Sequence, residues 1–279
     1  MEYSSIRGAQ ILPSSSEYRH PIMQTTVNTQ VSNARPLGVG SRTGILTFAL
    51  LSYAIGVAGL GGLILAMAGL VDLGRFRLAS DPTGAFLVNI GLLVMFALQH
   101  SVMARPGYKA WSARHVHPSL NRACYVLASG AAILLMLALW QPLEASIWQT
   151  TGAAAWLMWS IFAFGWAYLL AASFAINHFD LFGLRQAWYA SRNEDCPDLA
   201  FKEHWMYRYS RHPIMLGVLI GIWFPAHMDG SRLMLSIGLS LYMLIGIYFE
   251  ERDLVRQWGA QYEDYKKRVG ALWTLKPGA

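Results

Sequence analysis

The chain has 279 residues, 54% of them hydrophobic and only 14% charged, with a formal net charge of +6. Its apolar residues come in long blocks rather than in the alternating or amphipathic spacing of a water-soluble core, which points to an all-α, polytopic transmembrane helix bundle. The positive side chains are spread over short loops instead of one patch, so nucleic acid is not an expected partner.

Residues 1–43 are rich in Ser, Thr, Asn and Gln and lack the short apolar core of a signal peptide. They are expected to form a disordered cytoplasmic tail ahead of an integral-membrane domain over 44–279. The tail carries Arg19-His20-Pro21-Ile22-Met23, a copy of Arg211 to Met215, but no apolar helix follows it and we read it as coincidence. Apolar blocks then follow at 45–71, 85–103, 123–140, 154–176, 214–228 and 233–249, of which the fifth is short, so five to six crossings are predicted. The glycines of Gly56-Val57-Ala58-Gly59-Leu60-Gly61-Gly62 fall inside the first block, where they permit close helix packing.

Arg105, Lys109, Arg114 and Arg122 fill the second loop, Lys266, Lys267 and Arg268 lie near the C-terminus, and 141–153 has no Lys or Arg. The positive segments are therefore expected on the cytoplasmic side, although Arg75 and Arg77 in the first external loop run against the pattern. Cys124 sits in an apolar block and Cys196 in a loop, which suits neither a disulfide nor a cysteine metal site. The histidines are scattered without metal-ligand spacing, so no metal is expected. No phosphate loop, dinucleotide fingerprint or nucleophile elbow is present, and the helix centres lack the charges expected of a transporter.

The last two blocks read as a helical hairpin with Arg211-His212-Pro213 at its start and Glu250-Glu251 at its end. At about 1.5 Å per residue each limb approaches the roughly 30 Å of a bilayer core, so a cation, an imidazole and two carboxylates share one rim. Pro213 suits a first helical turn, whose free amides favour an anion, and Arg211 adds a forked donor. Gly217, one turn on, would let a ligand approach the backbone. Glu250 and Glu251 point about 100° apart, so only one faces the bundle, where it can accept hydroxyl or ammonium hydrogen bonds. Such a pair of subsites suits a zwitterionic ligand carrying a ribose, such as S-adenosylmethionine, or another amino acid derivative. Trp205, Tyr207 or Tyr209 could face a sulfonium. His100 and His178 are candidate general bases, and Asp180 is close enough in sequence to orient one of them. Each of these groups, taken alone, is also accounted for as an interfacial anchor or a local ion pair.

Arg211-His212-Pro213-Ile214-Met215-Leu216-Gly217, followed one hairpin later by Glu250-Glu251, resembles the integral-membrane methyltransferases related to isoprenylcysteine carboxyl methyltransferase and phospholipid N-methyltransferase, where the two motifs bind S-adenosylmethionine. Met215 stands where that family usually has an aromatic residue, while Tyr262, Tyr265 and Val269 fit its pattern. The stretches Leu98-Gln99-His100-Ser101-Val102-Met103-Ala104-Arg105-Pro106-Gly107 and Asn177-His178-Phe179-Asp180-Leu181-Phe182-Gly183-Leu184-Arg185-Gln186 look like the bacterial methanethiol S-methyltransferases. That resemblance spans roughly 45–275 and implies methyl transfer from S-adenosylmethionine to methanethiol, or hydrogen sulfide, in a bacterial cytoplasmic membrane. An aliphatic thiol is mostly protonated near neutrality, so a base is needed, with His178 assisted by Asp180 as first choice and His100 as second. Alternative readings are a prenylated cysteine or a phospholipid amine as acceptor, or a non-catalytic assembly factor. The oligomeric state is not readable from the sequence.

Overall fold

The computed structural model describes residues 37–201, 203 and 205–275. Most of the expected polar tail lies outside the described residues, and Val39 already opens the first helix. The spanning helices are α1 (Val39–Ala68), α2 (Pro82–Ala104), α4 (Asn121–Leu139), α5 (Gly152–Ile176) and α9 (Gly230–Trp258), each long and apolar enough to cross a membrane. Shorter helices connect them: α3 (Pro106–Ser112), α6 (His178–Leu181), α7 (Leu184–Ser191), α8 (Pro213–Trp223) and α10 (Ala260–Arg268). The chain is an integral-membrane helix bundle.

Local signals set the helix ends. Asp81 caps α2 by accepting from the Gly84 amide at 2.9 Å with Pro82 in the first turn, and Asp229 caps α9 by accepting from the Arg232 amide at 2.8 Å. Gly69 closes α1 in the left-handed conformation, with φ 76°. The core runs through the bundle from Leu63 and Met67 past Phe96, Met136 and Trp140 to Trp166, Ile222 and Leu235.

Glycine decides how closely the helices approach. A Cβ on Gly130 of α4 would lie 2.5 Å from the Ile55 carbonyl oxygen, and one on Gly59 would lie 2.8 Å from that of Gly130, so α1 and α4 meet backbone to backbone. A second seam joins α5 to α8: a Cβ on Gly217 would lie 2.7 Å from the Gly165 oxygen and the Leu169 nitrogen. The backbone that Gly217 admits is thus that of α5, where a ligand was expected.

The hairpin forms with one correction. The limb expected over 214–228 is helical only to Trp223, because Pro225 lacks an amide donor and disfavours the helical conformation at Phe224. Eleven residues rise only about 17 Å, and the chain continues through 224–226 into a strand, β2 (His227–Asp229). This strand pairs antiparallel with β1 (Ser146–Gln149), with Trp148 opposite Met228 and Gln149 opposite His227. The ribbon fastens the α4–α5 loop to the turn of the hairpin. Ser236 donates to the Ile222 carbonyl and the Trp223 indole to Ser240, each at 2.8 Å, fixing the register of α8 on α9. Glu250 and Glu251 consequently lie level with His212 at the opposite end from the ribbon.

Candidate active site

Pro213 occupies the first turn of α8, and His212 is its cap residue. The preceding backbone is clamped by the segment beyond α10: Arg211 and His212 donate their amides to the carbonyls of Gly270 and Ala271 at 3.1 and 3.0 Å, and Thr274 donates to Tyr209 at 2.9 Å. This C-terminal strap had no signal in the sequence beyond the aromatic spacing of Tyr262 and Tyr265. Both tyrosines are buried with Val269 beneath it, against Phe201 and Trp258.

Of the tandem carboxylates, Glu251 points inward and Glu250 outward, with side chains 13% and 48% exposed. Arg211 donates its Nε to Glu251 Oε1 at 2.7 Å, pairs a second nitrogen with the same carboxylate, and gives its remaining terminal nitrogen to the Lys266 and Val269 carbonyls. Lys266 Nζ stands 3.6 Å from Glu251 Oε2. His212, almost fully enclosed, sits between the acids: Nε2 is 3.2 Å from Glu251 and Nδ1 is 3.6 Å from Glu250. The Arg211 fork therefore holds Glu251 and the strap, and Glu250 is the carboxylate left facing outward. Tyr262 is buried beside Arg211 and Glu251, and among the described residues its hydroxyl makes no well-formed hydrogen bond. Burial pushes the Tyr207, Tyr262 and Tyr265 phenols well above their ordinary range, so they stay neutral donors. Tyr209 stacks on Trp273 in the strap, 6.3 Å between ring centres.

The two candidate bases are separate. His100 on α2 is bound by Tyr125 and Ser129, both from α4: the Tyr125 hydroxyl meets Nε2, and Ser129 Oγ is 3.0 Å from Nδ1. The Phe96 and Tyr242 rings lie 5.3 and 5.8 Å from the imidazole. Arg122 acts electrostatically on His100 and Tyr125, and Glu250 acts on Tyr125, Tyr207 and Tyr242. The outward carboxylate is thus within electrostatic reach of the His100 cluster.

His178 follows Asn177, whose φ of 155° is rare for a residue with a side chain and turns the chain back under α5. Its Nδ1 lies 2.8 Å from Ser173 Oγ and its Nε2 3.0 Å from the Tyr53 hydroxyl of α1. Phe174 stacks on the ring at 4.3 Å, and Phe182 covers it at 4.7 Å. Burial drives the imidazole below its ordinary value, which keeps it neutral. Asp180 does not orient His178, which is a correction. Two residues on in a helical turn, it points away, and its carboxylate pairs with Arg185 at 2.8 Å. Among the described residues, no hydrogen bond or ion pair joins His178 to His100 or to the Arg211–Glu251 corner, and no three metal-ligating side chains converge.

Sequence reasoning missed Tyr125, Ser129, Tyr53 and Ser173. The available signal was the pair Tyr125 and Ser129, four residues apart and so on one face of an otherwise apolar helix.

A sequence model of the NnrU protein family matches residues 88–278. The chain is 45% identical over 195 residues to the methanethiol S-methyltransferase of Mycobacterium tuberculosis, covering 68% of this chain and 79% of that protein. It is 38% identical over 242 residues to methanethiol S-methyltransferase 2 of Bradyrhizobium diazoefficiens, covering 83% and 90%. Nurim of Homo sapiens is 27% identical over 177 residues, covering 60% and 66%. No solved structure matches the chain. His100, His178, His212, Glu250 and Glu251 all fall inside residues 88–278, and the chain belongs to the NnrU family and, within it, to the methanethiol S-methyltransferases.

Proposed function

We propose that the protein transfers the methyl group of S-adenosylmethionine to methanethiol at one rim of a bacterial cytoplasmic membrane, yielding dimethyl sulfide, with residues 44–279 as the methyltransferase domain. The observation that carries this reading is the meeting of two unlike surroundings: the His212–Glu250–Glu251 corner and the His100–Tyr125 cluster, which share the Glu250 carboxylate as a neighbour.

The corner fits a cofactor with an amino acid end and a ribose. Glu250 is half exposed and carries no guanidinium, so it can accept from hydroxyls or an ammonium, and the enclosed Tyr262 hydroxyl still has hydrogen-bonding capacity. The first-turn amides of α8 behind Pro213 suit a carboxylate. Arg211 and Lys266 neutralise Glu251 and so fix the corner from behind. When bound, the cofactor supplies a methyl carbon on a positively charged sulfur.

The rest falls to the chain. A thiol must lose its proton before it attacks, and we assign His100 as the base because it is hydrogen-bonded to Tyr125, beside which Arg122 favours the anion that forms, although burial and the same arginine oppose the imidazolium. Two opposite charges vanish in the reaction, so the apolar walls given by Phe96 and Tyr242 help by excluding water. A small apolar thiol reaches such a rim through the bilayer. The test is headspace detection of dimethyl sulfide from membranes given S-adenosylmethionine and methanethiol. Product from the wild type, lost in Glu250→Ala, Glu251→Ala and His212→Ala, is expected; product undiminished in all three would remove the corner from the mechanism.

A further inference from the structure

We propose that Tyr125 is the residue that meets the acceptor thiol, relaying its proton to His100. The inference rests on the proposed methyl transfer and assigns the acceptor side of that site.

Three observations lead there. Both ring nitrogens of His100 are occupied by protein hydroxyls, Ser129 Oγ at Nδ1 and Tyr125 at Nε2, so the imidazole has no free nitrogen for a thiol. The hydroxyl of Tyr125 is different: it uses one position on His100 and keeps acceptor capacity for another donor. Tyr125 is also only partly buried, unlike Ser129, and of the two hydroxyls on His100 it is the one within electrostatic reach of Glu250. The charged and titratable groups around it come from three elements: His100 from α2, Arg122 from the start of α4, Tyr242 and Glu250 from α9.

The step balances. The S–H bond breaks as its proton passes to the Tyr125 oxygen, the Tyr125 O–H proton passes to His100 Nε2, and the electron pair stays on the thiol sulfur. The outcome is a thiolate and an imidazolium, and the imidazolium later returns its proton to water. Ser129, at Nδ1, positions the ring so that Nε2 points at Tyr125. Arg122 lies near enough to offset the negative charge while it exists.

The test compares two small acceptors. Methanethiol needs deprotonation near neutral pH, whereas hydrogen sulfide is already largely ionised. In Tyr125→Phe the turnover of methanethiol is expected to fall by at least about tenfold relative to that of hydrosulfide, with S-adenosylmethionine affinity unchanged by calorimetry. A merely structural hydroxyl would lower both rates together, and equal loss for both acceptors overturns the proposal. An inactive wild type would instead overturn the methyl-transfer reading itself. A second readout needs no turnover: with fluorotyrosine at position 125 and S-adenosylhomocysteine bound, the fluorine resonance is expected to shift on adding methanethiol. An unmoved resonance contradicts the assignment, including where Tyr125→Phe fails to fold.

Discussion

His100 and His178 are held in the same manner, each with a serine hydroxyl at Nδ1 and a tyrosine hydroxyl at Nε2, yet their surroundings differ. Around His178 the neighbours are the rings of Phe174, Phe179 and Phe182, and burial alone acts on its ionisation. Around His100, Arg122 and Glu250 reach the same hydrogen-bonded pair. We propose that an identical hydrogen-bond pattern is a structural pin at His178 and a chemical device at His100. The charges that face it make the distinction, and the imidazole itself does not.

The largest expected effect isolates the corner that supplies the Glu250 charge. Glu251→Ala strands Arg211, whose side chain is 9% exposed, as an uncompensated charge. Loss of about 3–5 kcal/mol of stability, together with cofactor binding, is expected in thermal denaturation and calorimetry. Next, His100→Gln keeps a polar side chain and removes the base. Turnover should fall by about 10²–10⁴-fold with little change in cofactor affinity, whereas His178→Gln should cost less than about tenfold in initial rate.

Smaller effects sharpen the same contrast. Gly130→Ala presses a methyl onto the Ile55 carbonyl and should destabilise the α1–α4 seam by about 1–3 kcal/mol, measured by thermal shift. Because α1 carries Tyr53, this variant should disturb the His178 cluster more than the His100 cluster, whose hydroxyl partners both lie on α4. For His178 the folded imidazole takes up a proton at lower pH than the unfolded chain, which does so near 6.5. The unfolded state thus binds more protons as the pH falls through that value, and stability declines with acidification. A melting series should show the decline in the wild type and a flatter curve in His178→Gln. Asp180→Asn is expected to change turnover least, since among the described residues its carboxylate pairs with Arg185; a loss of about 1.5–3 kcal/mol in stability is the upper range.

The bundle and the meeting of the two motifs were legible because membrane thickness converts block length into geometry: a hairpin of two apolar limbs must return Glu250 and Glu251 to the level of His212. The short reach of α8 was legible too, in Pro225, but hydropathy outweighed it. Asp180 shows where nearness in sequence misleads, since a helical turn sends it toward Arg185 and away from His178. Gly217 shows that a glycine beside a motif can serve a helix seam. Tyr125 and Ser129 carry no motif, and their pairing with His100 depends on how α2 settles on α4, which long-range packing decides. The strap over Arg211 was hidden for a related reason, because backbone hydrogen bonds leave no mark on residue type.

The central claim is tested most directly by running His100→Gln and His178→Gln side by side, in purified enzyme given methanethiol and S-adenosylmethionine carrying a trideuterated methyl group. Labelled dimethyl sulfide is expected from the wild type and from His178→Gln, and only traces from His100→Gln. The reverse ranking, with His178→Gln silent and His100→Gln active, would contradict the account.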